Sequence, residues 1–190
     1  MIKRIIDPTQ DEPMKPVRLS YEASCRRLQE DYLEAGAVPP LPSSMPKFDD
    51  PEPRGVCFFR VFVGDGDNLG NLTLPRTFFG RSDVNDASFR NTDLSESTMC
   101  WNDFTDVDFT DATLHKADLR CSAFVNVSFV RADLRGADLR RSSFDNCNFS
   151  DADLTGAMAT LSQKPMLSLA ANQQAQVNWT SDEGAEPGGG

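Results

Sequence analysis

From Leu74 to Leu154 every fifth residue of the chain is apolar, seventeen times without an interruption. A period of five fits neither an α-helix, at about 3.6 residues per turn, nor a β-strand, in which side chains alternate between two faces. The backbone must therefore turn between one repeat and the next. Fixed short periods are typical of stacked, repetitive architectures, so the pattern predicts a solenoid.

A second period, of twenty residues, lies on top of the first. From Phe104 onward the central residues run Phe, Phe, Leu, Leu and then repeat. If four repeats complete one coil, like residues stack in columns along the axis. The pattern therefore predicts an all-β solenoid, a four-sided β-helix of about four coils over residues 80–160, spaced at about 4.8 Å. The predicted core consists of Phe89, Phe104, Phe109, Leu114, Leu119, Phe124, Phe129, Leu134, Leu139, Phe144, Phe149 and Leu154.

Several repeats share one local sequence. Residues 117–121 read ADLRC, residues 132–136 ADLRG, residues 137–141 ADLRR and residues 152–156 ADLTG. These repeats resemble the A(D/N)LXX signature of pentapeptide-repeat proteins, and the resemblance covers residues 82–156. It implies a right-handed quadrilateral β-helix. It says less about function, because one fold commonly supports several activities.

The residues before the repeats predict an N-terminal arm, a helix and a linker, together residues 1–54. Ser20 is a favourable N-cap for a helix over residues 20–35. Six prolines between residues 37 and 54 predict a stiff linker. One stripe at helical spacing predicts that the helix docks on the first coil and covers its open edge. This stripe consists of Tyr21, Cys25, Leu28 and Tyr32.

The predicted β-helical domain spans residues 55–160. It opens with one strand over residues 56–63, which starts or caps the β-helix. Ser168 is a candidate cap for a short helix over residues 169–179. Residues 161–190 are thus predicted to form a C-terminal helix and a flexible, acidic, Gly-rich tail.

The charge and the cysteines limit the classes of function. The formal net charge is −10 at pH 7, which disfavours direct binding of nucleic acid or of an anionic membrane through the overall field. No signal sequence or transmembrane run is evident. The five cysteines are irregularly spaced and show no metal-binding pattern. We therefore expect a cytoplasmic protein without a metal or other cofactor.

The sequence contains little that indicates an active site. His115 is the only histidine, and the repeat places it next to a central leucine, pointing outward. Most aspartates lie one residue before a centre, where the repeat itself places Asp or Asn. No nucleophile elbow or phosphate-binding glycine loop occurs. We therefore predict that the chain is not an enzyme and assign it no catalytic residues.

The two residues after each centre are not dictated by the core and decorate the surface. On one face, stacking places Trp101, Cys121 and Arg141 in a column, a basic and aromatic strip on an acidic protein. Trp and Arg are enriched at binding hot spots. The outward valines on the neighbouring faces have no role in the fold. The predicted partner-binding residues are Trp101, Arg120, Arg140, Arg141, Val125, Val130, Arg131 and His115.

Three hypotheses of function follow. The shape and surface favour an inhibitor that binds another protein, because a rigid β-helix loses little entropy on binding. The most favoured example is the immunity protein of a bacterial toxin. The resemblance implies an alternative, because the best-known pentapeptide-repeat proteins mimic B-DNA and bind DNA gyrase or topoisomerase IV, conferring drug or toxin resistance, commonly as homodimers. A scaffold or accessory role in a larger assembly is the third.

Overall fold

The five-residue repeat winds into a four-sided β-solenoid of about six coils. This architecture is seen in a computed structural model that describes residues 16–33 and 55–182. The predicted N-terminal arm before residue 16, the Pro-rich linker and the tail beyond residue 182 lie outside the described residues. The four-sided, all-β fold is confirmed.

Short parallel strands mark the faces of the solenoid. The strands are β1 (Cys57–Phe59), β2 (Phe62–Val63), β3 (Phe78–Gly80), β4 (Asp83–Asn85), β5 (Asp103–Thr105), β6 (Ala123–Val125), β7 (Ser143–Asp145), β8 (Met158–Thr160) and β9 (Asn178–Thr180). Five of them form one sheet in the order β2-β4-β5-β6-β7, while β1 pairs with β3 and β8 with β9. The helices are α1 (Tyr21–Leu33), a 3-10 turn (Leu161–Gln163) and the four-residue α2 (Ala171–Gln174).

The register follows the twenty-residue period. Phe104 lies opposite Phe124, and Phe124 opposite Phe144. Isolated bridges on the other faces also join residues twenty positions apart. The first coil is one residue longer, because Val63 pairs with Val84 whereas Asn68 pairs with Ser88. The turn between Val63 and Asn68 accommodates the extra residue.

The central residues fill the interior as predicted. Every predicted core residue is at most 4% exposed. Four faces are named here by their centres: face 1 (Val84, Phe104, Phe124, Phe144), face 2 (Phe89, Phe109, Phe129, Phe149), face 3 (Leu94, Leu114, Leu134, Leu154) and face 4 (Phe79, Met99, Leu119, Leu139). On faces 1 and 2 the phenylalanines of successive coils stack nearly parallel.

The predicted number of coils was too low. One further coil precedes the regular repeats and another follows them. Phe58 and Val63 are buried in the first of these, and Leu167 and Leu169 in the last. Phe58 and Val63 lie off the five-residue period because the first coil contains one extra residue. Leu169 keeps the period, but the apolar series is interrupted by Lys164 before it and by Gln174 after it. The sequence pattern therefore did not include these coils.

The prediction of one continuous strand over residues 56–63 was also wrong, because this segment forms two strands, β1 and β2. The chain turns a corner at Arg60, whose φ of 52° lies in the left-handed region, so β1 and β2 belong to adjacent faces. At the other end, α2 replaces the longer helix predicted over residues 169–179. Residues 178–180 form β9 because β8 offers a free strand edge.

Helix α1 covers the N-terminal end of the solenoid. The Ser20 hydroxyl accepts a hydrogen bond from the Ala23 N–H at 3.2 Å, which is the predicted N-cap. The Ser24 hydroxyl accepts the Thr73 N–H of the first coil at 2.9 Å. Leu28 is buried against the core. Of the remaining predicted stripe, Tyr21 is buried and Cys25 is half-buried, while the Tyr32 side chain lies outside the described part of the chain.

Candidate protein-binding surfaces

The corners of the solenoid present side chains from a strained backbone. The second residue after each centre has a positive φ, as Asp106 and Asn126 do on face 1. Non-glycine residues rarely adopt this conformation, and it is a genuine outlier for a bulky residue. After face 4 the corner forms a vertical row, named here the corner column. It consists of Arg60, Arg81, Trp101, Cys121 and Arg141, with φ between 51° and 63°.

The structure places the predicted stack of Trp101, Cys121 and Arg141 in this column. The column continues with Arg81 and Arg60 towards the N-terminal end of the solenoid. Trp101 is 69% exposed, and Cys121 is half-buried. Arg141 is exposed and makes contacts of its own.

The arginines beside the corner column are neutralised by aspartates. The Arg120 guanidinium donates to both carboxylate oxygens of Asp118 at 2.8 Å. Arg140 binds Asp138 in the same way, at 2.9 and 2.6 Å. The hydrogen bonds that Arg120 donates to Asp118 raise the pKa of Arg120, although burial acts in the opposite direction. The predicted basic character of this strip is therefore largely compensated at these two positions.

The other predicted binding residues are dispersed over the faces. Arg131 donates to both oxygens of Asp111, one coil below, at 2.8 and 2.7 Å. Val125 and Val130 are half-buried on faces 1 and 2. His115 is half-buried on face 3, and its Nδ1 is buried without a hydrogen-bond partner. The structure thus does not bring the eight residues into one patch.

Face 1 carries the strongest unbalanced charge. Its strands β4 to β7 and the residues beside them contain no Lys or Arg. No ion pair to these carboxylates occurs among residues 16–33 and 55–182, in contrast to the paired aspartates above. The exposed carboxylates, named here the acidic face, belong to Asp83, Asp86, Asp103, Asp106 and Asp145.

An aromatic groove lies at the N-terminal end of face 4, beside the corner column. It has a volume of about 440 Å³. Its lining consists of Phe59, Phe78, Gly80, Arg81, Cys100 and Trp101. Sequence reasoning identified Trp101 and missed the phenylalanines, because the first coil was read as one continuous strand. The sequence pattern gave no signal for Phe59, because the five-residue series counted back from Leu74 places it at a buried centre.

The repeats match a known sequence family. A sequence profile of pentapeptide repeats matches eight copies, at residues 82–120 and 122–158. Residues 82–158 of the chain thus consist of pentapeptide repeats. The matched segment coincides with the regular coils, and the two end coils lie mostly outside it.

Solved structures of pentapeptide-repeat proteins are similar to this one. One is from the thylakoid lumen of Arabidopsis thaliana, with 25% identity, 60% of this chain and 72% of that chain covered, and a TM-score of 0.40. HetL of Nostoc sp. strain PCC 7120, involved in regulating heterocyst differentiation, has 19% identity, 56% and 72% coverage and a TM-score of 0.31. QnrB1, a plasmid-mediated fluoroquinolone resistance protein, has 21% identity, 55% and 56% coverage and a TM-score of 0.32.

These likenesses are too weak to transfer a partner to this chain. No curated protein matches it in sequence. Its function must therefore be argued from its own surfaces.

Neither a metal-binding cluster nor a membrane-spanning helix occurs in the described coils and α1. No group of three or more His, Cys, Asp or Glu there is placed to hold a metal ion. No helix in this part of the chain combines the length and apolar character that crossing a bilayer requires. All five cysteines are free thiols, and burial raises the pKa of Cys100 and of Cys147.

Proposed function

We propose that this protein is a non-enzymatic, cytoplasmic inhibitor that binds a basic partner protein through the acidic face. The partner is a bacterial toxin, and the chain is its immunity protein. The observation that carries this proposal is the acidic face itself. Its five carboxylates are exposed, whereas six of the aspartates on the other faces are ion-paired with arginines on the same face or the next coil.

The physical case rests on charge and rigidity. Carboxylates that form no ion pair and are held on a rigid sheet attract the cationic surface of a partner protein. This attraction increases the rate of association. They also reject acidic competitors, which gives discrimination between partners. The sheet β2-β4-β5-β6-β7 is held by parallel pairing and stacked phenylalanines, so binding requires little ordering.

A second candidate is the topoisomerase hypothesis, since a row of carboxylates is also the charge that DNA presents. Asp83 and Asp103 lie one above the other, as do Asp86 and Asp106. The row is interrupted in the next coil, where Ala123, Val125 and Asn126 carry no charge. Duplex DNA carries one charge per about 1.7 Å along its axis without such a gap. We therefore place mimicry of DNA second.

The test compares two variants with the same change in net charge. In the first, Asp83, Asp86, Asp103 and Asp106 are each replaced by Asn. In the matched control, exposed or half-exposed acids elsewhere are neutralised by Glu22→Gln, Glu30→Gln, Glu96→Gln and Asp151→Asn. Partners captured from the host lysate by the wild-type protein are purified, and their affinity for each variant is measured by calorimetry.

We expect the acidic-face variant to bind the partner at least about tenfold more weakly, equivalent to about 1.4 kcal/mol, and the control to bind as the wild type does. Neutralisation of a toxic activity by the wild-type protein would support the immunity role. Binding to gyrase or topoisomerase IV, with a change in DNA supercoiling, would favour the second candidate. Equal affinity of both variants would refute the role of the acidic face.

A further inference from the structure

We propose that the aromatic groove is a docking site for a short acidic peptide segment of a partner protein, with one apolar side chain seated between Phe78 and Trp101. This site differs from the acidic face in position and in charge. It therefore goes beyond the proposed function and does not depend on it.

The groove is an exposed aromatic surface with a defined shape. Phe59 is 50% exposed although it belongs to strand β1 of the first coil. The rings of Phe59 and Phe78 lie 6.4 Å apart. Both rings fold over Gly80, where an added Cβ would lie 2.6 Å from the Phe78 ring. Glycine at this position thus leaves the space that the two rings occupy at the floor of the groove.

Trp101 forms the wall of the groove. Its φ of 61° is similar to that of the other corners of the solenoid, so the backbone alone does not distinguish it. Its ring, however, remains mostly in solvent, where it does not contribute to the packing of the core. Tryptophan is also the residue type most enriched among binding hot spots.

Two arginines give the groove its charge preference. Arg60 and Arg81 are consecutive in the corner column, since Phe59 pairs with Gly80 directly before them. Arg60 lies over the Phe59 ring, 5.4 Å from its centroid. No carboxylate of the described residues forms an ion pair with either arginine, unlike Arg120 and Arg140. Two uncompensated cations beside an apolar groove are complementary to a peptide that carries carboxylates next to its apolar side chain.

The same chemistry disfavours a nucleic acid as the ligand. A base could stack on Trp101, and a phosphate could bind Arg81. However, face 1 begins directly after Arg81, with Asp83 and Asp86 exposed. A polyanionic backbone that continued past the groove would meet these carboxylates. A short peptide can place its carboxylates over the two arginines and end there.

The experiment uses the full chain and three labelled peptides, with fluorescence polarisation as the readout. The probe is Gly-Asp-Glu-Phe-Asp-Glu-Gly. Its controls are the same peptide with Ala in place of Phe and a peptide with Lys in place of all acidic residues. A single-stranded oligonucleotide tests the alternative ligand class. Since no partner protein is needed, failure here leaves the acidic-face proposal standing, and the reverse also holds.

We expect saturable binding of the probe to the wild-type protein, with Trp101→Ala and Arg81→Glu each weakening it at least about tenfold. The matched controls lie away from the groove, Arg141 at the far end of the corner column and Leu161 in the 3-10 turn. Leu161→Ala removes an exposed apolar side chain and Arg141→Glu reverses an exposed charge, and both should retain affinity within about twofold. The Ala peptide should bind at least about tenfold more weakly, and the Lys peptide should not bind.

Four results would overturn the proposal. The first is no saturable binding of the probe to the wild-type protein, and the second is tighter binding of the oligonucleotide than of the probe. The third is self-association that Trp101→Ala abolishes, which would assign the groove to a second copy. The fourth is binding of the probe only after Phe48→Ala has been introduced. That result would assign the groove to the chain's own Phe48-Asp49-Asp50 sequence. Unchanged melting temperatures of the variants exclude misfolding as the cause.

Discussion

Phe104 and Phe124 stack face to face in successive coils, with ring centroids 5.0 Å apart and planes 3° from parallel. Each ring also meets a face 2 phenylalanine edge-on. Both geometries are favourable for aromatic pairs. The interior of faces 1 and 2 is therefore one continuous aromatic stack in which every ring supports the next coil.

Removing one ring should open a cavity that the neighbouring coils cannot close. We expect Phe124→Ala to lower the free energy of unfolding by about 3–5 kcal/mol, as measured by denaturant titration. The next residue on β6, Val125, points outward. Val125→Thr should change the same quantity by less than about 0.5 kcal/mol. An equal loss in both variants would mean that the stack does not dominate stability.

Glutamine side chains close the C-terminal end. The Gln163 side-chain amide donates to the carbonyl oxygens of Leu139 and Ser142, both at 2.7 Å. Gln163→Met keeps the volume and removes the donor. We expect a loss of about 1–3 kcal/mol for each carbonyl left buried without a partner. Hydrogen exchange should increase in the last coils, whereas the exposed Asn172→Ala control should behave as the wild type.

The regular coils could be predicted from the sequence because the core alone determines them. Leu114, Leu134 and Phe124 are buried where the period of five places them. The end coils could not be predicted in the same way. Gln163 and Gln173 are polar yet buried, since each satisfies carbonyls of the coil below. No periodic pattern distinguishes such a glutamine from one on the surface.

The surface was only partly predictable, for different reasons at different residues. The Arg120–Asp118 pair was accessible in principle, because residues two apart on a strand share a side. That rule would have shown the strip to be compensated. The exposure of Phe59 was not accessible, because it depends on the corner at Arg60. The insertion in the first coil hides this corner in the sequence.

The N-terminal cap makes a separate prediction. Arg27 on α1 donates to the Gly70 carbonyl at 2.9 Å and also to that of Asn68. We expect Arg27→Ala to increase hydrogen exchange at residues 68–74 and to lower the free energy of unfolding by about 1–3 kcal/mol. The neighbouring Arg26 is exposed and serves as the control. If Arg26→Ala had the same effect, general charge rather than the two hydrogen bonds would anchor the helix.

The last prediction concerns pH. The Arg135 guanidinium donates to both carboxylate oxygens of Asp133, at 2.8 and 2.6 Å. These hydrogen bonds lower the pKa of Asp133, although partial burial acts in the opposite direction. A carboxyl with a lower pKa in the folded state stabilises the protein above the unfolded value of about 3.9. The contribution is lost as the pH falls through the folded value.

Wild type and Asp133→Asn should therefore differ by about 0.2–1 kcal/mol in the free energy of unfolding at pH 7, the range for a solvent-accessible pair. The difference should shrink as the same denaturant titration is repeated at successively lower pH, and it should disappear below the lowered pKa of Asp133. Asp103→Asn is the control, because no ion pair to Asp103 occurs in the described coils, and it should show no such loss. A difference for Asp133→Asn that persists unchanged in acid would attribute its effect to the shape of the side chain rather than to its charge.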